Sequence, residues 1–150
     1  IRSLVMEKNN TGFTLIELLL SISLIAALAG ISTPVYRLLQ TKNDLDIATV
    51  SLAQTLRRAQ ILSSAVDDDT TWGVKTFGGS ITLFKGSSYA TRDTTFDEVF
   101  DIPSNVSFSN LQEVVFAKFT GLPQTTGTFT LATSSDTRSL TINSKSMLSF

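Results

Sequence analysis

The side chains able to exchange a proton, grip a metal or attack a bond are here almost all carboxylates, lysines and arginines. The chain has no histidine and no cysteine. A Ser-His-Asp or Cys-His pair, a Cys/His zinc site and a disulfide are therefore excluded. Paired acids remain at Asp97-Glu98 and at Asp67 with Asp69. Carboxylate hydrolysis needs two such groups on opposite sides of one bond, which spacing alone does not show. Nothing marks a pocket around them, so no catalytic residue, cofactor or enzymatic activity is expected. Asp67-Asp68-Asp69 with Thr70 and Thr71 offers oxygens to calcium but lacks the glycine and distal glutamate of an EF-hand loop. A solvated helix terminus accounts better for this run, and no metal is expected.

One carboxylate is placed differently. Glu17 is the single charge between Phe13 and Val35, in a stretch that is otherwise almost wholly apolar. As a helix that stretch reaches roughly 34 Å, enough to cross a bilayer. A lone carboxylate in hydrocarbon costs about 2.5–3.5 kcal/mol or more, so it calls for a partner. No later stretch is long and apolar enough to span again. Residues 1–12 form a polar leader with Arg2, Glu7 and Lys8. Its basic residues favour a cytoplasmic N-terminus, with the rest of the chain outside the membrane.

The elements that must carry this segment follow from periodicity. Leu45, Ala48, Leu52, Leu56, Ala59 and Leu62 recur at steps of three and four, one apolar stripe on an otherwise polar helix. The pattern predicts one helix from Phe13 to about Val66, loosened at Gly30 and kinked at Pro34. Asp67–Asp69 would end it, because the helix C-terminus is already negative. Four segments result: a leader at 1–12, a membrane half at 13–35, an amphipathic half at 36–66 and a β domain at 67–150.

Within that domain, Trp72–Phe77 and Ser80–Lys85 flank Gly78-Gly79, a hairpin signal. The turn puts Trp72, Val74, Ile81 and Leu83 on one face, available to the helix stripe. Val106–Phe108 and Glu113–Phe119 read as further strands. Thr128–Thr133 and Arg138–Asn143 read as a last hairpin with Phe129, Leu131, Leu140 and Ile142 inward. Gly86–Thr95 reads as a polar, mobile loop, and Trp72 and the phenylalanines read as core. A helix followed by strands is α+β, with the helix on one face of an antiparallel sheet.

Gly12-Phe13-Thr14-Leu15-Ile16-Glu17, with the apolar run behind it, resembles the N-terminal signature of type IV pilins and type II secretion pseudopilins. The resemblance implies that a prepilin peptidase cuts between Gly12 and Phe13 and methylates the new N-terminal Phe13. Pro34 falls where many members carry a helix-bending proline. Cleavage creates a positive amine one turn from Glu17. The family's reading pairs Glu17 with the N-terminus of a neighbouring subunit, which neutralises both charges and sets the axial stagger. Pairing with its own amine, or snorkelling to the headgroups, would also satisfy Glu17. Ala27-Leu28-Ala29 before Gly30 is similar to a signal-peptidase site, which would release a soluble secreted domain. Against that, Glu17 interrupts the apolar region such a signal needs.

The later residues narrow the resemblance. Phe100-Asp-Ile-Pro103-Ser-Asn-Val106-Ser-Phe108, Val114-Val-Phe116, Phe119-Thr-Gly121-Leu-Pro123, Gly127–Leu131 and Leu140-Thr-Ile142 resemble the GspH/FimT group of minor pilins and pseudopilins. The departure is at Lys145-Ser146, where the last turn lacks its usual glycine. The implied partners are the prepilin peptidase, other pilin or pseudopilin subunits and the lipids of the cytoplasmic membrane. The implied course runs from single-pass membrane precursor to a type IV pilus or a type II secretion pseudopilus. DNA-uptake members of the group bind DNA through basic residues near the C-terminus. Here the basic residues are scattered among aspartates, and loss of residues 1–12 leaves acidic side chains in excess by two. DNA is therefore the less favoured partner.

Overall fold

The structure, a computed structural model, describes residues 12–65 and 70–150, without the side chains of 31–34. The leader up to residue 11, the aspartates at 67–69 and the side chain of Pro34, with the kink expected there, lie outside the described residues. One helix, α1 (Leu15–Ser64), is followed by strands β1 (Trp72–Phe77), β2 (Ser80–Lys85), β3 (Asp93–Asp101), β4 (Ser107–Asn110), β5 (Glu113–Phe116), β6 (Gly127–Ala132), β7 (Thr137–Ile142) and β8 (Leu148–Ser149). The chain divides into two compact units, Ile1–Arg37 and Leu38–Phe150.

In the first unit, every described side chain from Gly12 to Gly30 is exposed. Ser21 donates to the Glu17 carbonyl and Ser23 to the Leu20 carbonyl, each at 2.8 Å. These two hydroxyls are thus satisfied within the helix itself, which is what a hydrocarbon environment demands.

The second unit is the α+β body. Its strands form two four-stranded antiparallel sheets, in the orders β3-β2-β1-β5 and β4-β6-β7-β8. The helix stripe lies against them. Leu45, Ala48, Leu52, Leu56 and Ala59 share one core with Val74, Ile81, Leu83, Val114 and Phe116 of the first sheet and Phe129, Leu131, Leu140 and Ile142 of the second. The hairpin face is as expected, since Val74 stands opposite Leu83 and Thr76 opposite Ile81. The buried helix hydroxyls bond back along the helix, Thr49 to the Leu45 carbonyl at 2.8 Å and Thr55 to the Ser51 carbonyl at 2.7 Å. Ser63, fully buried, accepts the Trp72 N–H at 3.0 Å and so ties the end of α1 to the start of β1.

Several expectations are corrected. The strands form two sheets rather than one. The nine-residue strand β3 begins inside the stretch read as a loop. Its alternation is masked by Asp93, Asp97, Glu98 and Asp101, which an edge strand tolerates because one side faces water. The residues before it are also anchored. Tyr89 packs edge-on against Phe77 and Phe84, with ring centroids 5.1 and 5.6 Å apart. The Arg92 guanidinium lies over that ring, 3.6 Å from its centroid, and pairs with Asp97 at 2.8 Å. Gly73 is needed here, because a Cβ at that position would meet the Phe84 ring at 2.5 Å. The strand expected to run to Phe119 stops at Phe116, and Phe119 is left-handed (φ 68°) and mostly exposed. Phe77 and Phe96 are also partly exposed, so the phenylalanines are not all core.

Candidate functional site

The six residues of the N-terminal signature straddle the start of α1. Gly12, Phe13 and Thr14 precede the first helical residue, Leu15. Thr14 caps the helix: its Oγ1 accepts the Glu17 N–H at 3.3 Å, and its carbonyl accepts the Leu18 N–H at 3.2 Å. Thr14-Leu15-Ile16-Glu17 has the spacing of a capping box, in which a hydroxyl at the cap satisfies an amide that the first turn leaves unpaired. The sequence reading overlooked this role of Thr14, although threonine followed three residues later by glutamate is its ordinary signal.

The arrangement fixes what each group can do. Glu17 lies in the first turn, where the helix dipole favours negative charge. Its backbone N–H is held by Thr14, so the local structure needs nothing from its carboxylate, which is exposed. Phe13 is exposed, one residue before the cap. Gly12 has open space where a Cβ would stand. A requirement for glycine there would come from an enzyme that handles the chain rather than from this fold. The structure places Gly12, Phe13 and Glu17 within six residues of one another at the head of an exposed helix. The side chain of Pro34 lies outside the described residues. α1 is long and apolar enough over its first part to cross a membrane by length and composition.

No other part of the described chain gathers comparable groups. Among the described residues, no group of three or more acidic side chains is placed to hold a metal ion. Arg58 pairs with Glu98 at 2.6 Å, Lys75 with Glu113 at 3.4 Å and Arg138 with Asp46 at 3.3 Å. These pairs connect one element to another: the first and third join α1 to a sheet, and the second joins β1 to β5.

Compared with known families, residues 8–33 match the one described as the prokaryotic N-terminal methylation motif. No curated protein and no solved structure matches the chain. The motif is that of type IV pilin-like and pseudopilin substrates of prepilin peptidase. The long α1 packed on antiparallel sheets is a pilin-like architecture, and the motif with its apolar helix is consistent with a membrane-anchored pilin.

Proposed function

We propose that this chain is a minor pilin or pseudopilin of the GspH/FimT type, a filament subunit that does no chemistry of its own. Prepilin peptidase cuts it between Gly12 and Phe13 and methylates the Phe13 amine. Residues 13–35 anchor it in the cytoplasmic membrane with the domain outside, and later join the core of a type IV pilus or type II secretion pseudopilus. The observation that carries this reading is the match at residues 8–33, set at the head of a helix whose first part is exposed and whose second part is buried under its own sheets.

Glu17 is the registration charge in this reading. Before cleavage it has no amine to face. After cleavage the Phe13 amine of one subunit and the Glu17 carboxylate of another meet where the dielectric is low, and each removes the other's desolvation cost.

Mass spectrometry of the full chain co-expressed with a prepilin peptidase tests the processing step. The expected product begins at a methylated Phe13, and a product beginning at Gly30 sinks the reading. Glu17→Val should leave insertion and cleavage intact and lower the fraction found in sheared filaments. Glu17→Asp, with the charge kept and the reach shortened, should fall between it and the wild type. Equal assembly of Glu17→Val and wild type would remove Glu17 from this role.

A further inference from the structure

Strand β3 is the outer strand of the first sheet, and among the described strands it pairs with β2 alone. Its second half is regular, with Phe100 opposite Ile81 and Glu98 opposite Leu83. Just beyond it, the Ile102 N–H donates to the Gly79 carbonyl at 3.0 Å, toward the β2 side. Backbone direction alternates along a strand, so the N–H and C=O groups of Val99 and Asp101 point the other way, to the open side. Such a row is a template for one more strand.

The side chains alternate as well. Phe100 packs against the core and Glu98 reaches Arg58 of α1 at 2.6 Å, so both lie on the face that α1 covers. Val99 and Asp101 lie on the opposite face and are exposed, Val99 at 59%. Where α1 passes β3, Ser51, Gln54, Thr55, Arg58 and Phe100 line a cavity of about 180 Å³. Small-molecule pockets run to about 300–1,000 Å³, so this one has the size for a single side chain. Two of its polar groups are already engaged. The Thr55 hydroxyl donates to the Ser51 carbonyl at 2.7 Å, and Arg58 holds Glu98. The Phe100 ring remains as an apolar wall.

We propose that this edge takes up an extended segment of a partner protein as an additional strand, with an apolar side chain in the cavity and a lysine or arginine opposite Asp101. The segment's backbone bonds to Val99 and Asp101, while the cavity and the carboxylate select its side chains. The residue opposite Phe100 falls on the α1 face and enters the cavity. Its two neighbours fall on the outer face, one beside Val99 and one beside Asp101. A second copy of β3 does not fit. Paired antiparallel about Val99, it sets Asp97 against Asp101 at both ends, and like charges directly opposite repel.

The full chain in detergent, mixed with the blocked peptide Thr-Val-Lys-Leu-Lys-Val-Thr, tests this by amide hydrogen exchange. The peptide reads the same in both directions, so strand polarity does not matter. Slower exchange at Val99 and Asp101 is expected, with about fivefold weaker binding when glutamate replaces each lysine of the peptide. Asp101→Lys should reverse that preference. Gln54→Trp fills the cavity from an exposed position and should weaken binding about tenfold. Val99→Pro removes an outward N–H, which an edge strand tolerates, so it should keep the thermal transition and lose the peptide. No protection by the lysine peptide overturns the strand addition. Equal binding of the lysine and glutamate peptides overturns the selection by charge. Protection that grows with protein concentration and needs no peptide makes a second copy the occupant and overturns the partner.

Discussion

The two parts of α1 are made of one continuous helix and are stabilised in different ways. From Leu38 onward, Leu45, Leu52 and Leu56 lose essentially all contact with solvent against the chain's own sheets. Up to Gly30, Leu18, Leu19, Leu24 and Leu28 each keep more than half of their surface exposed. Leucine is thus used twice for opposite ends. In the second part it is a core residue whose partners are encoded further along the same chain. In the first part its partners must come from outside the chain, as lipid or as other helices. A helix that leaves so much apolar surface uncovered is half of an interface.

The contrast is broken most directly in the core. Leu56→Ala should cost about 2–5 kcal/mol, because the side chain is almost wholly buried in the core. Denaturant unfolding of the full chain in detergent reads it. Leu24→Ala, the same deletion in the exposed part, should leave that unfolding within about 0.5 kcal/mol of wild type. A loss below that figure for Leu56→Ala would move the stripe out of the core and erase the distinction.

A second, smaller effect sharpens the boundary at the other end of α1. Gly121 is left-handed (φ 60°), and a Cβ there would collide with the Ser64 hydroxyl and approach Gln60 at 3.1 Å. Gly121→Ala should cost about 1–3 kcal/mol, from strain and overpacking together. Thermal unfolding measures it. Gly12→Ala, with open space around the new methyl, should not move the same transition.

The smallest expected effect is electrostatic. The Thr95 hydroxyl and backbone N–H both donate to the Asp93 carboxylate, at 2.6 and 3.0 Å. They hold its pKa below the ordinary 3.8. A depressed carboxylate stabilises the fold above its unfolded-state pKa and loses that contribution as pH falls through the lower folded value. Asp93→Asn should therefore lower stability slightly near pH 7 and flatten the acid limb below about pH 4, where variant and wild type converge. An unchanged acid limb would mean that the Thr95 contacts do not discriminate between the two protonation states.

How much of this was readable beforehand follows from which interactions are local. The helix stripe from Leu45 to Ala59, the hairpin around Gly78-Gly79 and the inward row Phe129, Leu131, Leu140 and Ile142 were legible, because each depends on spacing within a few turns or a few strand residues. Strand β3 was hidden, since an edge strand keeps charged residues on its open side and loses the alternation that marks a strand. Phe119 was misread for the converse reason. Its sequence neighbourhood looks apolar, but the chain turns at Gly121 to pack on the end of α1, and that turn leaves the ring outside.

By itself the sequence determined the apolar span, the capped head of the helix with Gly12, Phe13 and Glu17, and the α+β order, because these arise from hydrophobic period and from bonds between residues close in the chain. Only the tertiary structure decided that the strands divide into two sheets. It also decided that Tyr89 and Arg92 anchor the segment before β3, and that one face of α1 is buried while Ile47, Val50 and Ile61 stay exposed. Those outcomes depend on which distant residues meet, and a single strand or helix turn holds no record of the surface that will come to lie against it.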